Sequence, residues 1–447
     1  MTESFSPELV AALREAARPL DNHPSDFDAL LDLVAESPLV LLGEASHGTH
    51  EFYHARAQIT ERLIEEKGFN AVAVEADWPD AYRVNRFVRG ARDDASAADA
   101  LRGFVRFPQW MWRNADVVRF VEWLRARNAA RPDAEAAGFY GLDLYSLHAS
   151  MAAVLEFLDQ ADPAAARAAR ERYACFERFG TDTQSYGLMT GVGGDTSCEE
   201  AVVRQLVELR RVAASYARAD GIAAEDEAFF AERNAELVQN AEQYYRAMFQ
   251  HGISTWNLRD RHMHDTLEAL RAHLSRHGGP AKIVVWAHNS HLGDARATEM
   301  GRRGELNLGQ LVREHHGRKA ILVGFTTHHG FVTAASDWGA TAERKAVRPA
   351  LAGSYEALLH AAGVPRFLLR LDHERGLPDE LLQPRLERAI GVIYLPASER
   401  ASHYFRADLA RQFDAVLHYD ETRAVEPLER SSRWEQGEFP ETYPAGV

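Results

Sequence analysis

The chain has 447 residues, 46% of them hydrophobic and 26% charged, a balance ordinary for a globular protein with a sizeable core. A formal net charge of -15 argues against a nucleic-acid surface or a polybasic membrane contact. No apolar run approaches the ~18 residues of a membrane span, Met1 to Pro7 lacks a basic-then-apolar leader, and the two cysteines, Cys175 and Cys198, offer neither a disulfide framework nor a cysteine-rich zinc site. These features lead us to expect a cytoplasmic protein that acts on a small molecule.

Residues Pro7 to Leu33 read as one or two amphipathic helices. Leu39-Val40-Leu41-Leu42 then forms a short apolar run ending at Gly43, the pattern of a strand buried on both faces. Glu44 and His47 follow at once. Phe52, Ala55, Ile59 and Leu63 recur at helical spacing, and Gly68 is placed to end that helix. Ala71 to Val74 is a second buried strand, followed by Glu75. The Trp78-Pro79 pair breaks the chain before a helix from about Asp80 to Val88. Asn114 is placed to cap a helix containing Val117, Phe120, Val121 and Leu124. Phe139 to Leu142 is a weaker strand ending at Asp143.

From about 146 to 278 the texture becomes alanine-rich and helical, which predicts a large insertion. Gly191-Val192-Gly193-Gly194 within it lacks the Lys-Ser/Thr of a phosphate loop and follows no strand, so it reads as a turn. Strand-like runs return at Ile283–Ala287, leading to His288 and His291, and at Ala320–Phe325, leading to His328 and His329. Phe367–Leu369, Val392–Leu395 and Ala415–Leu417 are further strand candidates, and the tail after Glu429 reads as loose. Strands alternating with helices predict a three-layer α/β/α core with a largely parallel sheet; the length allows two or three domains or one elaborated domain, and a single domain over residues 1–447 is the expectation.

In such sheets the chemistry gathers beyond the carboxyl ends of the strands. Glu44, His47, Glu75, Asp143, His288 and His291 all stand at or just past the end of an apolar run. A single carboxylate there is usually a cap or a turn residue, but the repetition matters, because Glu and His are rarely set beside a core without partners. A carboxylate that holds an imidazole fixes its tautomer and raises its basicity, which suits a general base. No Gly-x-Ser-x-Gly elbow occurs, which favours direct attack by water over a serine nucleophile.

Rival readings are specific. His50-Glu51-Phe52-Tyr53-His54 is a literal His-Glu-x-x-His, which on a helix would present two zinc ligands with Glu51 as base; its place in a first turn equally suits Glu51 to the helix dipole. A divalent metal held by Glu44, His47, Glu75 and His288 would have suitable donors and would make the protein a metal-dependent hydrolase. The leading reading requires no cofactor. Arg56, nine positions after His47, is within reach of the same rim, although alone it would read as a surface arginine pairing with Glu61. Trp110, Met111 and Trp112 could wall a bulky ligand or simply be core.

These residues resemble the erythromycin esterase family. The resemblance rests on Gly43-Glu44-x-x-His47 with Glu51-Phe52 and Arg56, then Gly68-Phe69 and Glu75, Gly141-Leu142-Asp143, and Ala287-His288-Asn289-x-His291. It covers most of the chain. His47-Gly48-Thr49-His50 and Phe107–Trp112 look more like the broad group of bacterial homologues than the dedicated resistance enzymes. The resemblance implies an α/β core and hydrolysis of a macrolide lactone, an antibiotic-resistance chemistry, without a covalent acyl-enzyme. It makes His47 the general base and has Glu44 and Glu75 position the water or the base. Arg56 and His288 would act near the scissile carbonyl, with His291 in support. The expectation is a hydrolase of a small-molecule ester or lactone, with Asp143, Trp110 and Trp112 as further substrate contacts. A ligand-binding homologue that no longer turns over is the remaining alternative.

Overall fold

The computed structural model describes residues 5–436 except 24, 92–93, 133–134, 181, 192–195, 221, 251–253, 372–379 and 382. The Val192-Gly193-Gly194 part of the glycine turn and the last eleven residues of the tail therefore lie outside the described residues. The strands are β1 (Arg18–Pro19), β2 (Leu39–Leu42), β3 (Ala71–Asp77), β4 (Gly138–Asp143), β5 (Ile283–Trp286), β6 (Ala320–Ala334), β7 (Glu343–Val347), β8 (Arg366–Arg370), β9 (Arg385–Arg388), β10 (Tyr404–Ala407) and β11 (Ala415–Thr422). The protein is mixed α/β with a mostly parallel central sheet. It divides into two compact units, one of residues 1–72, 87–137 and 282–447, the other of residues 73–86 and 138–281.

In the first unit β2 lies between β5 and β6, parallel to both, with Leu39 opposite Ile283 and Ala320. All four β2 side chains are buried, because a central parallel strand is covered on both faces. Each buried Leu or Val contributes about 1.5–3 kcal/mol. β11 continues the parallel set beside β6, while β8, β1 and β7 add antiparallel pairs at its margins. β6 runs fifteen residues, so His328 and His329 lie inside this strand rather than beyond it. Val392–Leu395 is not a strand. It meets Ala335 through an isolated bridge, with hydrogen bonds from Ala335 N to Val392 O and from Tyr394 N to Ala335 O. β9 and β10 pair separately as an antiparallel two-stranded sheet.

The helix His50–Lys67 starts from Thr49 and ends on Gly68 in the left-handed region (φ 70°), a conformation glycine adopts without strain. Its buried face carries Phe52, Arg56, Ile59 and Leu63, so a charged residue sits in an apolar stripe. Asn114 caps Ala115–Ala129 by accepting from Asp116 N and Val117 N, and its Nδ2 donates to the carbonyls of Trp110 and Met111.

In the second unit β3 and β4 stand with seven helical segments from Leu147 to Gly278. Trp78, Tyr82 and Phe230 stack together, with the Tyr82 and Phe230 ring centroids 4.0 Å apart. Cys175 and Cys198 are joined in a disulfide, Cα atoms 5.9 Å apart. Among the described residues no helix is long and apolar enough to cross a membrane.

Two consequences can be measured. A Cβ at Gly48 would lie 1.9 Å from the Thr333 carbonyl oxygen, so Gly48→Ala must push β6 and the turn apart. We expect a loss of roughly 2 kcal/mol in a urea titration; a stability equal to the parent would contradict this close approach. His262 is buried in the second unit, and burial lowers its pKa to about 4. The unfolded chain then binds more protons than the folded one between about pH 6.5 and 4. This part of the stability is complete above 6.5 and is lost as pH falls towards 4. His262→Gln should flatten that limb of a stability–pH curve, and an unchanged acid limb would refute the assignment.

Candidate active site

The turn after β2 is fixed by its backbone. The Gly43 N–H donates to Val323 O at 2.8 Å, and a Cβ there would lie 2.2 Å from Asn289 Oδ1. Ala45 O accepts from Ile390 N at 2.8 Å, and His47 N donates to Ile390 O at 3.2 Å. Gly48 O accepts from both Thr333 N and Val425 N, and the Tyr53 hydroxyl donates to His47 O at 2.8 Å. The side chains of Ser46 and Thr49 hydrogen-bond each other. Glu44 and His47 are thus presented from a turn with little freedom.

Both are buried, and Glu44 Oε1 lies 2.8 Å from His47 Nδ1. The other Glu44 oxygen lies 2.6 Å from Arg56 Nη2. None of the Arg56 guanidinium nitrogens meets hydrogen-bond geometry with a partner, so this is an ion pair by distance and not a directed fork. The guanidinium also faces the Tyr53 ring, with Cζ 4.4 Å from its centroid, and the Trp286 ring at 5.2 Å. Arg56 is fully buried and is not the surface residue that its sequence position alone suggests.

His288 follows β5 and caps the short helical turn Asn289–Leu292, its Nδ1 accepting from Ser290 N at 3.2 Å. Asn289 N donates to Glu44 O at 2.8 Å, linking this segment to the β2 turn. The Asn289 side chain pairs in both directions with the backbone of Phe325. The rings of His47 and His288 lie 4.9 Å apart, tilted by 50°. His291 is buried one turn on, its N–H bonded to His288 O. The first unit therefore gathers Glu44, His47, Arg56 and His288 into one cluster.

In the second unit Glu75 lies within β3 and not past its end, and Asp143 closes β4. Arg259, from the helix Thr255–Gly278, reaches both: Nη2 is 2.7 Å from Glu75 Oε1 and 2.7 Å from Asp143 Oδ2, and Nε is 2.9 Å from Asp143 Oδ1. Burial alone would lower the Arg259 pKa, but the neighbouring charges, Asp143 foremost, raise it well above its ordinary value. Sequence reading missed Arg259, because one arginine in an arginine-rich helix carries no local signal.

Other candidates have settled roles. His50 Nδ1 bonds Asp116 Oδ2 at 2.7 Å, and both Glu51 oxygens accept from Arg423. The His-Glu-x-x-His run is thus engaged with neighbouring side chains, while burial foremost lowers the His54 pKa. Trp110 and Trp112 are both buried, with Trp112 edge-on to Tyr53.

Known proteins similar to this chain point to its family. The chain is 22% identical over 426 residues to "Erythromycin esterase type II" of Escherichia coli, covering 91% of this chain and 95% of that protein. It is 22% identical over 429 residues to "Putative hydrolase YbfO" of Bacillus subtilis (strain 168), covering 90% and 88%. Its fold matches the crystal structure of a succinoglycan biosynthesis protein with a TM-score of 0.74 at 20% identity, over 95% of this chain and all of that one. It also matches a mutant of the erythromycin esterase EreC in its open conformation, with a TM-score of 0.64 at 18% identity, over 92% and 97%. The erythromycin esterase family model matches residues 64–422, and the chain belongs to that family.

Proposed function

We propose that this protein is a hydrolase that opens an ester or lactone of a macrolide-like substrate by direct attack of water, with His47 as the general base. The observation that carries the reading is the buried Glu44–His47 contact at 2.8 Å, with Arg56 on the opposite carboxylate oxygen. A carboxylate on Nδ1 holds the proton there and leaves the Nε2 lone pair to take a proton from water. The Arg56 guanidinium lies against the other Glu44 oxygen, and the carboxylate faces the imidazolium that forms.

The hydroxide then adds to the carbonyl carbon, and the carbonyl oxygen becomes an oxyanion. His288 accepts at Nδ1 from Ser290 N–H, which places its own proton on Nε2 and suits it to donate to that oxyanion. Collapse breaks the carbon–oxygen bond, and the departing alkoxide recovers the proton from His47. No covalent acyl-enzyme forms. His291 is assigned the support of His288, on the family resemblance. Family membership supports the hydrolase class, and the macrolide-like substrate is carried over from the relative's name.

His47→Ala should lower kcat by about 10²–10⁴-fold while shifting the melting temperature by only a few degrees. Product carrying one added water, detected by mass spectrometry from erythromycin and a panel of simpler lactones, is the readout. Full turnover by the variant would remove His47 from the chemistry.

A further inference from the structure

Away from the His47 cluster, the first unit buries a second group of carboxylates. Glu387 lies on β9 and Glu356 on the helix Tyr355–Ala361, and both are completely excluded from solvent. Glu356 Oε1 accepts from Arg388 N at 2.7 Å, but Glu356 Oε2 has no hydrogen-bond partner, and neither has either oxygen of Glu387. Gln412, at the end of the short helix Leu409–Gln412, is equally buried. It sets its side chain against Glu387 and leaves its own Oε1 unpartnered.

The guanidinium nearby is already engaged. Arg388 Nε lies 3.2 Å from Glu399 Oε1 and donates to the Tyr404 hydroxyl, and its two Nη groups donate to the carbonyls of His328 and Arg348. That cation is shared between Glu356 and Glu399, and no contact joins it to Glu387. Burial and the charge of Glu356 push the Glu387 carboxyl well above the usual range, so two bare anions are not a stable state here.

All four unpartnered atoms are oxygens, and all are acceptors. One proton shared between Glu387 and Glu356 would serve two of them and leave the amide oxygen of Gln412 stranded. A cation held among the three side chains would satisfy carboxylate and amide oxygens alike. We propose that Glu356, Glu387 and Gln412 form a binding site for a hard divalent cation of the Ca²⁺ type. Two carboxylates balance a double charge, and Ca²⁺ accepts mixed carboxylate and amide oxygens in flexible geometry. Mg²⁺ demands strict octahedral coordination and usually keeps several waters, which an enclosed site resists.

The site would brace the catalytic turn. β9 runs directly into Ala389 and Ile390, and Ile390 holds Ala45 and His47 by the two backbone bonds described above. The carbonyl of Gln412 accepts from Asp294 N, three residues beyond His291. An ion joining these segments would fix the supports of both histidine-bearing stretches.

The test uses the full-length protein. Metal content is measured by mass spectrometry as purified, and after stripping with a chelator the protein is titrated with CaCl₂, with MgCl₂ and KCl as comparisons, by calorimetry and thermal melting. We expect one Ca²⁺ per chain, either retained as purified or bound after stripping, and a melting temperature raised by about 5 °C at saturation. Glu387→Gln and Gln412→Leu should each weaken Ca²⁺ binding at least tenfold. Absence of stoichiometric Ca²⁺ as purified together with no heat and no shift at millimolar Ca²⁺ would overturn the proposal. So would variants that bind Ca²⁺ as tightly as the parent, which would put the ion elsewhere. A Glu387→Gln chain more stable than the Ca²⁺-insensitive parent would identify a neutral acid pair instead. Should either variant fail to fold, the titration of the parent chain decides the matter.

Discussion

The candidate site depends on a single buried carboxylate with a different partner on each oxygen. Glu44 stands between the Arg56 guanidinium and the His47 imidazole, and all three are nearly or wholly removed from water. Taking Glu44 out of solvent is costly, and the cost is offset only because a full positive charge lies against it and a ring nitrogen meets its other oxygen. Each partner therefore explains the others. Without Arg56 the carboxylate would be a buried charge facing only an imidazole, and without Glu44 the arginine would be a lone charge in an apolar helix face.

That arrangement requires rigid surroundings, and the fold supplies them by backbone contacts. Segments far apart in the chain clamp the turn between β2 and the helix His50–Lys67: Val323, Ile390, Thr333, Val425 and Asn289 all bond to its peptide groups, Ile390 to two of them. Gly43 and Gly48 are glycines because Asn289 and Thr333 approach where a side chain would stand. The second unit is organised on the same principle with the signs reversed. There one arginine, Arg259, holds two acids, Glu75 within β3 and Asp143 at the end of β4.

Much of this was legible in the sequence, for identifiable reasons. Leu39–Leu42 is uniformly apolar because parallel neighbours cover it on both faces, and a glycine followed by Glu and His is an abrupt change of chemistry. Arg56 was half legible: it shares the stripe of Phe52, Ile59 and Leu63, which implies burial, but its partner Glu44 lies on a different element. Glu75 was set just beyond its strand because the apolar run stops there. β3 nevertheless continues to Asp77, since Arg259, 184 residues away, meets the charge inside the strand. β9 escaped notice because Arg-Leu-Glu-Arg has no apolar alternation, and its burial depends on Glu399, Tyr404 and Glu356, which only the fold brings near. Val392–Leu395 misled in the opposite sense, being apolar enough for a strand but pairing with Ala335 through one isolated bridge and otherwise bonding to side chains such as His403 and Lys345.

The reaction proposed for the Glu44–His47–Arg56 cluster and the choice of substrate draw on different parts of the chain. On that proposal the same proton leaves water whether the ester is a macrolide or a simpler lactone, so the cluster's chemistry does not distinguish them. Discrimination must come from surfaces that touch the rest of the molecule. Trp110 and Trp112 are poor sources of it, being packed inside the first unit. The aromatic contact between Phe107 and Trp338 differs, with ring centroids 5.0 Å apart and the Trp338 side chain largely exposed. An exposed tryptophan is costly to keep in water and adaptable to what covers it. A family that retains the buried charge cluster while varying such outer loops would keep one reaction and change its substrates, a division of labour consistent with about one identical residue in five alongside fold matches over more than nine-tenths of the chain.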